Sequence, residues 1–358
     1  MDNNITLEVG LKKIDLMFLI FKTRNVILSS YITLLVLLLV ITSVIILYKD
    51  KNTTWKGIAK ILLISGISSP LWLLLTPYSL NYLQPNIYLL LLIVCSFLTG
   101  YLVLRFIPNP ILFISAALFL AITSDLLLGN FFMQRSYLGY DPIIGARYYG
   151  IGNEYAGVYL ISGLLLLERT LIRKWFLLVV ISVGQVFLLG STFFGANAGA
   201  TLSAGIMFGY FAYRSFFPRI EWRKLLVIFA VLVFLNLVLL FVTQLNGQQS
   251  HIGYAFSRMF QGDFGFIIDT IQRKIAMNWK IFRYSNWTQL FVTTYLLIAF
   301  YLWRKKEIVR SRVRRLLIQT GVVASIALLL LNDSGVVAAA TSMFIIVCTS
   351  YYWALDEV

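Results

Sequence analysis

Histidine occurs once in this chain, at His251, and cysteine twice, at Cys95 and Cys348. A Ser-His-Asp relay would have to be built on that one histidine. Both cysteines fall inside apolar runs, without CxxC or Cys/His spacing, so neither a disulfide framework nor a zinc site is supported. Charge is scarce too: Asp, Glu, Lys and Arg make up 13% of the residues, and acids are outnumbered 15 to 30 by Lys and Arg. There is no repeat with a period of 20 to 50 residues, no low-complexity linker and no stretch that reads as a soluble domain. The short apolar patch Leu16 to Phe21 lies far below the roughly 20 residues of a span. It is followed by no small-residue cleavage site and is not a signal peptide.

Hydrophobic residues are what the chain does have, at 59%, with a mean hydropathy of +0.83. No soluble domain has interior enough to hide that much apolar surface, so the composition defines an integral membrane protein. In a soluble protein a net charge of +15 would raise nucleic-acid binding. Here the cations sit mostly in short connections between apolar segments, as topology signals do. The lipid bilayer is therefore the expected partner, and nucleic acid is not.

The predicted fold is all-α: a polytopic membrane helix bundle with about eleven transmembrane helices, on a criterion of roughly 17 to 25 apolar residues per span. The segments are 26 to 48, 57 to 76, 87 to 106, 111 to 133, 148 to 168, 175 to 190, 197 to 213, 225 to 243, 286 to 303, 316 to 331 and 335 to 354. Residues 1 to 25, with Lys12, Lys13, Lys22 and Arg24, read as an amphipathic segment lying on the bilayer. Residues 26 to 358 read as a single transmembrane domain with an external amphipathic insert at 244 to 285. Most Lys and Arg fall in alternate loops, above all in 304 to 315, which places those loops and the C-terminus in the cytoplasm. The same count puts the cations of residues 1 to 25 outside: either the amphipathic segment is tolerated there, or the early part of the chain differs by one span from this count.

Polar groups concentrate at the opposite ends of the segments. The stretch Gly145 to Gly157, GARYYGIGNEYAG, sets Arg147, Tyr148, Asn153 and Glu154 at the front of an apolar run. An ionisable group within a span costs at least about 2.5 kcal/mol and usually faces the bundle interior or an aqueous cavity. Glu154 and Asp125 are such groups. Asp125 is either a carboxylate held for packing or part of a site supplied by Arg135 and Arg147. The glycines at 145, 150, 152 and 157 serve close helix packing or make room for a ligand. In GSTFFGANAGAT (Gly190 to Thr201), Gly195 and Gly199 form GxxxG, and Asn197 either caps the following helix or binds a polar ligand. Asn332 to Gly335 reads as a tight turn with Asp333 or Ser334 as N-cap, or as a recessed carboxylate on the same face. The external insert adds Arg273 and Lys274.

From Gly145 to Tyr213 the layout resembles the bacterial O-antigen polymerase and ligase group. It shares with them a Gly- and Asn-rich start to one span, a small-residue segment two spans later and a substantial external loop. That group usually carries an arginine in the small-residue segment, where this chain has Asn197. The full set GARYYGIGNEY, GANAGAT, QRKIAMNW and NDSGV looks closer to a group of bacterial polytopic membrane proteins without an established activity. The resemblance implies a multi-pass protein of the bacterial plasma membrane.

The leading expectation is a site facing out of the cytoplasm, acting on a lipid-linked envelope substrate such as a polyprenyl phosphate, or on an anionic lipid, by glycosyl or phospho-group transfer. Arg147 and Arg273 or Lys274 would hold phosphate. Glu154 or Asp125 would serve as general base or as ligand of a hard divalent cation such as Mg, with Asp333 adding to the acids of that face. The rivals are an ion- or proton-coupled transporter with broken helices and a non-enzymatic partner of an envelope enzyme.

Overall fold

The computed structural model describes residues 2–48, 53–76, 83–139, 149–169, 175–217, 264–303 and 309–357, with isolated positions between 221 and 230. Among them are eleven α-helices and no strand: α1 Asp2–Tyr48, α2 Thr53–Leu75, α3 Pro85–Phe106, α4 Pro110–Leu127, α5 Asn153–Leu165, α6 Trp175–Gly190, α7 Ala198–Phe216, α8 Phe264–Tyr284, α9 Trp287–Trp303, α10 Arg312–Leu331 and α11 Gly335–Glu357. Proline at the first helical position starts α3 and α4, where its missing N–H has no partner to lose. Asn197 and Ser311 cap α7 and α10. Within α2, Pro70 cannot bond the Gly66 carbonyl, and the Ser69 hydroxyl takes that carbonyl at 2.7 Å while exchanging a 2.8 Å bond with Tyr31. A helix surrounded by apolar groups keeps its backbone satisfied in this way.

Helix α11 is the axis of the bundle. Gly335 to Leu355 are all buried, as expected of a helix that is apolar on every side. It packs against α2, α5, α9 and α10. Small residues permit the approach: a side chain at Gly157 of α5 would collide with the Ala338 carbonyl and Thr341 of α11.

Six of the described helices are long and apolar enough to cross a membrane: Gly10–Tyr48, Thr53–Leu75, Pro85–Phe106, Pro110–Leu127, Arg312–Leu331 and Gly335–Glu357. Phe176–Gly190 and Trp287–Tyr301 are shorter apolar helices. The expected count of about eleven is thus not reached among the described residues. The clearest reason is the segment expected at 148 to 168, where the helix starts only at Asn153 and gives way to a 3-10 turn at Leu166–Arg169. The segment expected at 225 to 243 lies outside the described residues, apart from isolated positions.

Residues 2 to 48 form one helix, so the boundary expected at residue 25 falls inside a continuous element. At 1.5 Å per residue its 47 residues extend about 70 Å, roughly twice a hydrocarbon core. Of the insert expected at 244 to 285, the described part is α8, with Ile268, Ile271, Ile275 and Trp279 exposed along one stripe.

The described charges gather at two ends. At one, the basic pole, Arg314 bonds Glu168 at 2.8 Å and Glu357 at 2.9 Å, while Lys60 bonds Asp356 at 2.8 Å. At the other, the motif pole, lie the polar stretches singled out in the sequence.

Candidate functional site

The motif pole begins where α4 ends. Gly129 and Asn130 both have positive φ, 85° and 63°, a reversal that glycine and asparagine tolerate. The turn doubles back over Asp125, whose Oδ1 accepts from the Phe132 amide and Oδ2 from the Met133 amide, each at 2.8 Å. Asp125 is buried, and both oxygens serve the backbone of this turn. Arg135, expected beside Asp125 as part of a site, is near enough for its charge to act on that carboxylate, and it also lies 3.8 Å over the Phe131 ring and donates to the Phe131 carbonyl at 2.7 Å. The next residues pin the helices together: Ser136 donates to the Leu73 carbonyl at 2.6 Å and meets the Tyr155 hydroxyl at 2.8 Å, and Tyr137 meets Thr23 at 3.1 Å. Burial raises the Tyr137 pKa while the Thr23 bond opposes it, so the phenol is neutral near pH 7.

The two glycine motifs bind each other. Gly150 has φ +88°, and a Cβ there would collide with the Gly195 carbonyl. That carbonyl accepts from the Ile151 amide at 2.8 Å. Asn197 does two jobs at once. Its Oδ1 accepts from Ala200 at 3.0 Å to cap α7, and its Nδ2 lies 3.3 Å from both the Ile151 carbonyl and Asn153 Oδ1. The third motif closes on the second, since a Cβ at Gly199 would stand 2.6 Å from Asn332 Oδ1 and from the Leu331 carbonyl. Asn130 joins the first turn to this group through the Phe194 carbonyl at 3.3 Å.

Glu154 stands in the first turn of α5, where a negative charge favours the helix dipole. Arg24 of α1 reaches it at 3.3 Å and donates to the Gly139 carbonyl at 2.6 Å with the same nitrogen. Both side chains are largely buried, at 11% and 14% exposure. Arg147 and Tyr148, which the sequence placed next to Glu154, lie outside the described residues.

Helix α8 brings the fourth motif. Lys274 donates to the Leu331 carbonyl at 2.8 Å and pairs with Asp333 at 3.3 Å. One turn on, Asn278 donates to the Asn332 carbonyl at 3.0 Å and accepts from the Val336 amide at 3.1 Å. The i, i+4 spacing of Lys274 and Asn278 puts both on one face. Arg273, on another face, is exposed.

The structure thus links Asn153, Glu154, Asn197, Asp333 and Lys274 through one set of packed motifs. Among the described residues the acids have separate partners: Asp125 holds its turn, Glu154 meets Arg24 and Asp333 meets Lys274. Among the described residues no group of three or more His, Cys, Asp or Glu could hold a metal ion. Sequence reasoning missed the role of Arg24, whose only local signal is its place as the last cation before an apolar run. It also missed Gln185, buried in α6 and donating to the Tyr159 carbonyl, with Gly163 leaving it room. The signal there was a lone amide in an otherwise apolar segment.

An all-helical bundle of membrane type, with a Gly- and Asn-rich polar pole, is the class these features define. Comparison of the chain with protein-family models, curated proteins and solved structures finds no match.

Proposed function

We infer that the motif pole is the working site of a bacterial plasma-membrane protein and that it takes a lipid-linked or anionic envelope substrate from outside the cytoplasm. The observation that carries this reading is the Arg24–Glu154 pair, largely buried beside the interlocked Asn153 and Asn197. A charge pair kept this far from water is costly to bury, and an ionisable group carried at that cost points to a working site. Arg24 and Lys274, with Arg273 beside the latter in sequence and Arg147 and Tyr148 just ahead of the first motif, supply the anion-binding groups. Glu154 is the carboxylate placed to take a proton, and the reaction is transfer of a glycosyl or phospho-group. A groove of about 590 Å³ supports a lipid tail. It runs between Ser29, Ser30, Thr33 and Leu34 of α1 and Asn86, Leu89, Leu90 and Ile93 of α3. It starts about five residues from Arg24, with hydroxyl and amide groups along one part and leucine and isoleucine along the other.

In this reading every described helix except α8 crosses the bilayer, an eleventh span falls on 225 to 243, and α8 lies over the outer mouth. The excess of Lys and Arg in the alternate loops puts the C-terminus in the cytoplasm. The test is binding of a polyprenyl phosphate by purified wild type, Lys274→Gln and Arg24→Lys. Expected is a loss of about tenfold for each, because a charged hydrogen bond contributes roughly 1.5 to 3 kcal/mol and a lysine cannot reproduce the guanidinium fork. Equal binding by all three would remove the phosphate-holding role.

One observation favours a transporter as the second reading. The chain at 149–152 and 191–197 is non-helical and pairs across the pole, the kind of interrupted backbone that binds ions in transporters. Ion or proton flux in proteoliposomes that is lost in Glu154→Gln, together with no lipid-phosphate binding, would select it.

A further inference from the structure

Helix α8 has a face that its seat on the motif pole leaves unused. At 3.6 residues per turn, Ile268, Ile271, Ile275, Trp279 and Phe282 fall within a sector of about 80°. All five are exposed, Ile275 and Trp279 most, at 65% and 64%. Lys274 and Asn278, which grip the 331–336 turn, border this stripe on one side. Arg273, Lys280 and Arg283, all exposed, lie beyond its other edge. Asp269 is the one acid of the helix, against four cations.

Contacts at two points fix where the stripe points. The polar grip sets the middle of α8 level with the end of α10 at Leu331 and the start of α11 at Gly335. At its C-terminal end, Ser285 and Asn286 join it to α9. There the Phe282 ring meets Phe291, one turn into α9, edge to face with centroids 6.2 Å apart. The stripe therefore faces the side along which apolar α9 descends, at the level where membrane helices end. A helix with an apolar face on that side and Lys and Arg on the polar face lies in the bilayer interface, with its apolar residues at the boundary of headgroups and acyl chains. Tryptophan is favoured at that depth. We propose that α8 docks on an anionic lipid surface, its stripe in the boundary layer and Lys280 and Arg283 among the phosphates of anionic phospholipids. A second copy of the chain fits the stripe less well, because it would bring two sets of cations together. This docking rests on the membrane topology proposed above but not on the substrate of the motif pole.

The test uses the full-length protein in a cysteine-free background, reconstituted in phosphatidylcholine vesicles with or without phosphatidylglycerol. Nitroxide labels are placed at Ile275→Cys, at Lys280→Cys and, in the middle of α3, at Leu98→Cys. Labels at 275 and 98 are expected to be reached by oxygen dissolved in lipid and shielded from a water-soluble nickel chelate, and the label at 280 to be open to the chelate. Phosphatidylglycerol should slow amide exchange across 264–284 by about fivefold or more, the factor expected of one cation near an anionic surface. Lys280→Gln/Arg283→Gln, at exposed positions, should remove that slowing. Chelate access at 275 as free as at 280, with 98 still shielded, would overturn the docking and leave the membrane bundle standing. Chelate access at 98 would overturn both. Shielding of 275 from oxygen and chelate alike, with spin–spin broadening, would give the stripe to a second copy instead. Equal exchange in the two kinds of vesicle, or a lipid effect unchanged in the double variant, would overturn the role of the anionic headgroup.

Discussion

Asp125 carries two readings at the scale of the residue, a carboxylate held for packing and a member of a site. A carboxylate inside an apolar run is expensive, and that expense points to function. In the structure the cost is partly offset by two backbone amides at 2.8 Å, so the carboxylate holds a turn that would otherwise leave buried N–H groups without acceptors. Asp125→Asn keeps one acceptor and turns an NH₂ group toward the other amide. It is expected to destabilise the protein by about 1 to 3 kcal/mol, seen as a lower unfolding midpoint in detergent, without weakening lipid-phosphate binding by the folded fraction. A variant as stable as wild type that has lost that binding would return Asp125 to the site. Glu154 differs because its described partner is a side chain, Arg24, contributed by a helix 130 residues away.

Helix α8 is the element whose position is most exposed to test. Its sequence reads as amphipathic, yet its hold on the bundle is polar: Lys274 and Asn278 grip the 331–336 turn, while Ile268, Ile271, Ile275 and Trp279 remain exposed. Removing both grips in Lys274→Ala/Asn278→Ala takes away hydrogen bonds contributing about 1 kcal/mol each. Amide exchange across 264–284 should then accelerate by about tenfold or more, with the amides of α11 unaffected. Unchanged exchange in α8 would mean that something other than these two side chains anchors it. Each start of α5, α7 and α11 depends on the others in a similar way, because Gly150, Gly157 and Gly199 sit where a neighbour's backbone or asparagine occupies the space of a side chain.

At the scale of the whole molecule, the two poles divide the chemistry. The basic pole ties α2, α10, α11 and the 166–169 turn through ion pairs, and the motif pole joins its elements mainly through backbone and amide bonds. In the topology proposed above, the basic pole lies in the cytoplasm. In a cysteine-free background, Cys at Leu128 or Asp333, both exposed at the motif pole, should react with an impermeant thiol reagent in intact cells. Cys at Arg310 should react only after permeabilisation. Labelling at 310 from outside would invert the molecule and move the lipid-linked substrate to the cytoplasmic face.

Helical class and membrane character were determined by the sequence alone, because both rest on local quantities: apolar length, composition and the absence of breakers. So was the meeting of the motifs at one end, since alternate segment ends must share a side and glycine and asparagine mark close approach there. Only the tertiary structure decided what each polar group does. The pairing of Arg24 with Glu154, the double use of Asn197 and the seating of Lys274 on Leu331 and Asp333 all join residues far apart in the chain. Helix packing fixes such distances, and no periodicity within one segment encodes them. The late start of α5 was hidden for the same reason: a paired backbone at Ile151 and Gly195 satisfies groups that a continuous helix would otherwise have had to satisfy itself.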